Sequence, residues 1–220
     1  MNISHHPTED IIVAFAAGVL HPLLAVVVDR HIRICAQCES DLALASAIGV
    51  ALLKRSVDEL TSEQIQRTST RLRRWSRRPG ADRAEFSAER LLREADAHLD
   101  RCLQQLDGGL SWRRISPKVS DYVVAGGRAP QAWLRLFRFS PGASVPQHTH
   151  AGDECTLVLR GSYEDQTGHY AAGDFCSADG DLAHSPKVVG DKPCIALIAA
   201  TGNLCFVQRR YAAAARVLGI

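Results

Sequence analysis

Residues 141–161 read PGASVPQHTHAGDECTLVLRG, and this stretch decides the architecture of the C-terminal half. His148 and His150 are separated by one residue. On an extended segment such side chains point to the same face, so the two imidazoles share a surface. Glu154 opens the run Cys155–Leu159, which reads as the next strand. Gly142 and Gly161 bracket the pattern as turn residues. Imidazoles and a carboxylate gathered in this way suit a divalent metal, with zinc, iron, manganese and nickel equally compatible.

Working outward, the same texture continues on both sides. Asp121–Ala125, Ala132–Phe139, Cys194–Ala199 and Leu204–Gln208 read as further strands. Gly126-Gly127, Pro141-Gly142, Gly161, Gly168, Gly173-Asp174, Gly190-Asp191 and Gly202-Asn203 separate them at short intervals. Many short strands with such punctuation predict an antiparallel barrel or sandwich. His169, before Gly173, reads as an exposed turn histidine. Cys155, Cys176, Cys194 and Cys205 fall on strands, where burial is the default. A redox role for Cys176 is the lesser alternative.

The N-terminal half is helical. Thr8 caps a first helix whose Glu9 and Asp10 suit the positive end of the dipole. Pro22 suits the first turn of a second helix, expected to run to about Ala36, with His21 as a helix-start residue. A third is expected from about Glu39 to Lys54. Leu91, Leu92, Ala95, Leu99, Cys102, Leu103 and Leu106 form one apolar stripe of a fourth helix over 86–106, with His98 on its polar side. Gly108-Gly109 ends it. Residues 56–84 interrupt this order, with Arg67, Arg71, Arg73, Arg74, Arg77 and Arg78 followed by Pro79-Gly80. They read as a solvated helix end and loop. The fold class is α+β in two domains: a bundle of about four helices, residues 1–107 with an insertion or linker near 56–84, then an antiparallel β domain, residues 110–212.

His31, Cys35 and Cys38 stand at i, i+4 and i+7, one face at the end of the second helix. Zinc takes four ligands in a tetrahedron, and imidazole and thiolate suit it. The fourth corner must come from elsewhere, and the N-terminal tail offers His5 and His6. Such a clip would stabilise a helical module with a thin core.

Composition bounds the function. A formal net charge of +2 gives no electrostatic case for nucleic acid as the main partner. Seven cysteines, an odd number, with no basic leader over Met1–Asp10, argue against a disulfide framework and for a cytoplasmic, metal-binding chain. Ile11–Val28 lacks Asp, Glu, Lys and Arg, but Gly18, His21 and Pro22 interrupt it, so two short buried helices fit better than a membrane span.

These residues together resemble a known family. Gly142-x5-His148-x-His150-x3-Glu154-x6-Gly161 is similar to the first cupin motif. Gly173-Asp174 matches the turn of the second, and His184 falls where its fourth metal ligand stands, although the usual Pro-x-Gly-x-x-His is absent. Joined to the N-terminal His pair and the His31–Cys38 set, the cupin pattern resembles the zinc-binding anti-sigma factors of the ChrR type, from about Met1 to Phe206. The resemblance implies a structural zinc on His6, His31, Cys35 and Cys38, with His6 taken over His5. It also implies zinc or another divalent metal on His148, His150, Glu154 and His184 of a cupin barrel. It further implies that the helical module sequesters a sigma factor of the extracytoplasmic-function class. Release would follow oxidative stress of the singlet-oxygen kind, with the barrel sensory rather than catalytic. Ile12, Phe15, Val19, Leu92 and Leu99 are the expected apolar contacts to that partner. Two rival readings are a cupin enzyme such as a non-haem iron dioxygenase, and a DNA-binding regulator using the Arg67–Arg78 run.

Overall fold

The structure, a computed structural model, describes residues 2–58, 61–76, 81–127, 131–208 and 211–212. Among the described residues the chain forms five helices and then eleven strands. The helices are α1 (Glu9–Ala16), α2 (Pro22–Ile32), α3 (Ala36–Asp58), α4 (Ser62–Ser76) and α5 (Ala81–Gln104). The strands are β1 (Arg113–Ser116), β2 (Val119–Gly126), β3 (Trp133–Phe139), β4 (His148–His150), β5 (Glu154–Arg160), β6 (Ser162–Asp165), β7 (Gly168–Ala171), β8 (Phe175–Ala178), β9 (Lys187–Val188), β10 (Cys194–Ala200) and β11 (Leu204–Phe206). All strand pairs are antiparallel, in sheets ordered β1-β2-β3-β10-β5-β8, β11-β4 and β7-β6-β9.

Five helices stand where about four are expected. Residues 62–76, read from sequence as part of an insertion, form α4. Its start carries a capping box: Thr61 N–H donates to Gln64 Oε1 (2.8 Å), and Gln64 N–H donates back to Thr61 Oγ1 (3.2 Å). Arg67 pairs with Glu63 one turn away, on an exposed face. Arg77, Arg78, Pro79 and Gly80 lie outside the described residues.

α2 explains the long uncharged run. Leu23 to Val28 is buried without a break, so this part of α2 is apolar on every side. A helix apolar all round is enclosed, and α2 is packed by α1, α3 and α5 on one side and by strands β3, β5 and β10 on the other. His21 caps it, its Nδ1 accepting from Leu23 N–H at 3.2 Å. From α5, Ala95, Leu99 and Cys102 close over it. His98, expected on the polar side, instead donates from Nδ1 to the Val124 carbonyl at 2.8 Å, tying α5 to β2.

Strands β3, β10 and β5 are buried on both faces. Leu134, Leu136, Leu157 and Leu197 share one apolar cluster with α2 and α5. Trp133, Phe137 and Ala200 form another on the opposite face of the sheet. This double burial gives an antiparallel sheet the near-continuous apolar runs usual in parallel ones. At Gly161 the chain turns with φ +72°, and a Cβ there would lie 2.5 Å from the Pro193 carbonyl, so only glycine fits.

Candidate metal centres

The first cluster forms where α2 gives way to α3. α2 ends at Ile32 rather than at Ala36, and α3 begins at Ala36 rather than Glu39. The turn is tight: Ile34 N–H donates to His31 O and Cys35 N–H to Ile32 O, and Cys35 O then accepts the first bond of α3 from Glu39. His31, Cys35 and Cys38 therefore do not share one helix face. They come from the end of one helix, the turn, and the start of the next, and the bend makes them converge.

The tail supplies the fourth donor. His6 Nδ1 lies 3.3 Å from Cys35 Sγ and 3.4 Å from Cys38 Sγ, and His31 Nε2 lies 3.4 Å from Cys38 Sγ. One donor atom from each of the four residues lies within 4.8 Å of the others. Tetrahedral zinc with ordinary Zn–S and Zn–N bonds would place its ligand atoms about 3.3–3.8 Å apart, so the set fits that ion. Its chemistry agrees. Burial pushes the Cys38 thiol up to about 12, with Cys35 beside it adding to the rise, so a thiolate there calls for a cation. Burial also lowers His31 to about 4, partly offset by the Gly173 carbonyl, so the ring stays neutral and able to ligate.

His31 is oriented from the barrel. Its Nδ1–H donates to Gly173 O at 3.0 Å, which leaves the Nε2 lone pair facing Cys38. The next residue, buried Asp174, receives Ser4 N–H (2.7 Å) and His5 N–H (3.0 Å), and His5 O accepts from Phe175 N–H. His5 itself packs on Tyr170, its ring centre 4.3 Å away, and lies outside the cluster. Sequence reasoning saw Gly173-Asp174 only as a turn; nothing local marks it as the anchor of a tail 170 residues away. Asp174→Ala is expected to raise the rate of zinc loss to a chelator by about tenfold, the scale of outer-shell effects. Chelator-chase absorbance measures it, and an unchanged rate would show the tail needs no such anchor.

The second cluster lies inside the barrel. His148 and His150 come from β4 and His184 from the bridge that pairs with it, and one ring nitrogen of each lies within 4.8 Å of the others. His148 Nδ1–H donates to Pro146 O (2.8 Å), and His184 Nδ1–H to the Asp165 carboxylate (3.0 Å). Both rings thus keep Nε2 free. Burial opposes charge on Asp165, but hydrogen bonds from His184 and Thr167 outweigh it and hold the carboxyl down at about 2. Burial lowers His148 to about 4, against the pull of Glu154. His150 Nε2 and His184 Nε2 face each other at 3.1 Å, a separation suited to two ligands of one ion. Glu154 stands beside this trio rather than in it. Its Oε2 lies 3.5 Å from His150 Nδ1, and its Oε1 accepts from Thr156 at 3.3 Å.

Three other expectations change. Ile12 and Leu99 are buried, so they form core rather than partner surface; Val19 and Leu92 are exposed and Phe15 is half-buried. Cys205 is exposed, because β11 lies at an edge with β4 as its one described neighbour, whereas Cys155, Cys176 and Cys194 are buried as expected. His169 is exposed, but on strand β7.

Comparison with known proteins gives the family. Residues 107–203 match the family described as the ChrR cupin-like domain. Over 208 residues the chain is 31% identical to the anti-sigma-E factor ChrR of Cereibacter sphaeroides, covering 94% of this chain and 93% of that one. A crystal structure of Rhodobacter sphaeroides SigE in complex with the anti-sigma ChrR superposes with a TM-score of 0.64 at 26% identity, covering 90% of this chain and 99% of that one. With likeness running through helices and barrel alike, the chain belongs to the ChrR family of anti-sigma factors.

Proposed function

We propose that the chain is a cytoplasmic anti-sigma factor that sequesters a sigma factor of the extracytoplasmic-function class and releases it under oxidative stress of the singlet-oxygen kind. Residues 1–107 would be the binding unit, with zinc on His6, His31, Cys35 and Cys38. Residues 110–212 would be the sensory barrel, with zinc or another divalent metal on His148, His150 and His184 and with Glu154 beside them. Zinc in the first site would supply a cross-link, and an ion in the second would supply a Lewis-acidic centre.

The observation that carries the reading is α3. Cys38, Leu42, Ala45 and Gly49 mark its inward stripe, and Cys38 belongs to the four-donor cluster. Leu44, Ile48, Val50, Leu52 and Leu53 are all exposed. The window Ala36–Ser56 is long and apolar enough to cross a membrane by length and composition, yet 6% of it is buried. An unpartnered apolar surface of this extent marks an interaction site, and SigE in the solved relative's complex points to the partner class. This surface replaces Ile12 and Leu99 as the expected contact. His148 and His184 line a cavity of about 480 Å³ that would also serve an enzyme, but the family is one of regulators.

Co-expression with the extracytoplasmic-function sigma factors of its own host tests this. A stable complex is expected with one of them, blocking its transcription with core polymerase in vitro. No complex with any, from zinc-replete cells, would overturn the reading. Leu53→Asp, at a position 68% exposed, is expected to weaken the complex at least tenfold while leaving the thermal midpoint within about 2 °C. Unchanged affinity would remove α3 from the interface.

A further inference from the structure

Sigma-factor binding leaves the barrel cavity unexplained. Its volume, about 480 Å³, is within the size range of small-molecule sites. Val119, Trp133, Phe137, Phe139, Ile198 and Phe206 make much of its wall apolar. Trp133 meets Phe137 edge to face with ring centres 6.1 Å apart, and Phe137 stacks on Phe139 at 5.7 Å, so one side is a continuous aromatic surface. His148 and His184 line the same space, so two members of the donor trio face it. Phe206 lies against His148 with ring centres 5.3 Å apart, so the apolar wall begins beside the donors.

Charge decides what such a chamber can hold. Among the described residues Glu154 is the one acidic lining residue, and no Lys or Arg lines the cavity. A divalent ion on His148, His150 and His184 would be balanced by two carboxylates. One is Glu154, beside His150; the other is fully buried Asp165, which accepts from His184 Nδ1–H. The loaded centre is then neutral as a whole. An anionic ligand would find no basic side chain and would add an uncompensated charge to an apolar space, and a cationic ligand would face the ion. An uncharged molecule carries neither cost. An apolar body suits the aromatic wall, and an oxygen suits an ion that three protein donors leave with an open position.

We infer that the barrel binds an uncharged, largely apolar molecule with one oxygen donor, such as a medium-chain ketone. Its oxygen sits on the metal held by His148, His150 and His184, and its body lies against Trp133, Phe137 and Phe206. The inference rests on the proposed barrel metal.

The test uses the full chain loaded with cobalt(II), after metal analysis of wild type and His148→Ala. If wild type holds no more metal than His148→Ala, the metal reading fails and the ligand inference falls with it. With metal present, the visible bands that wild type has beyond His148→Ala report on the barrel. Decan-2-one is expected to perturb them at micromolar concentration. It should bind at least tenfold more tightly than butan-2-one, which lacks the long body, and at least tenfold more tightly than decanoate or decylammonium, which carry charge. Ile198→Trp, which fills the cavity, is expected to lose decan-2-one binding tenfold or more while keeping its metal. Should that variant fail to fold, the charge series decides, together with Glu154→Gln. That substitution removes one of the two balancing charges and is expected to narrow the preference for decan-2-one over decanoate at least threefold. Decanoate or decylammonium as tight as the ketone, or ketone binding undiminished in folded Ile198→Trp, would overturn the ligand class even with the metal in place.

Discussion

Cys38→Ser is expected to cost the helical unit its zinc and to weaken the sigma-factor complex by about 100-fold, or about 2.7 kcal/mol, while the barrel keeps its metal. Structural zinc contributes about 10–16 kcal/mol in peptides that have no fold without it. Here the loss is more local. α2 has its own enclosure of Leu23, Val27, Leu99 and Leu134 and keeps its place without the ion. α3 does not, because past Cys38 it is held by a stripe of partly buried residues, Leu42 and Ala45 among them. The serine removes one of the two thiolates, and hard oxygen in place of soft sulfur is a poor zinc ligand. The result is a freed tail and a loosened α3, not a denatured chain. Zinc analysis beside His148→Ala, calorimetric titration with the sigma factor and limited proteolysis over residues 2–58 read these effects separately. A variant that kept its full zinc and its full affinity would show that the four donors do not share an ion.

Asp121→Ala is expected to lower stability by about 3–5 kcal/mol, the cost of breaking a buried ion pair from one side. Asp121 is fully buried on β2. It accepts Arg113 Nε and Nη2 at 2.8 and 2.6 Å and Arg135 Nη1 at 3.0 Å. Arg135 is itself buried on β3, its guanidinium over the Trp133 ring, 5.1 Å from the centroid. Without the carboxylate a guanidinium stays in the barrel with its principal counter-charge gone. The midpoint of thermal unfolding should fall by about 10 °C or more for a chain of this size. Urea titration of wild type, Asp121→Ala and Asp121→Asn measures it, the amide recovering part of the loss. A loss under 1 kcal/mol would mean the barrel reorganises to hydrate Arg135.

The helical cluster was legible as a set of residue types and not as a geometry. His31, Cys35 and Cys38 have a metal-ligand spacing, and that much is local. The expectation of one helix face failed because spacing along a chain does not reveal a turn. Ile34 and Cys35 close that turn by backbone bonds that many sequences could make. The capping box at Thr61 and Gln64 is a local signal, contained in four residues just ahead of the arginine run. The small sheet β7-β6-β9 left little trace in the sequence because its strands are short and carry little alternation.

Apolar periodicity, turn residues and donor spacing act over a few residues, so the sequence alone determined an α+β chain with helices before strands, and the types of donor it offers. Burial of Leu23–Val28 was legible in a run without charge, but that Ala36–Ser56, with Glu39, Asp41, Lys54 and Arg55, keeps most of its apolar residues outside was not. That choice depends on which surfaces meet, and the sheet of β3, β10 and β5 has room for one helix of that kind. The pairing of Asp174 with Ser4, the two Nε2 atoms 3.1 Å apart, and the chamber behind them likewise exist only once distant segments are packed together, because hydrogen bonds and coordination act through space and not along the chain.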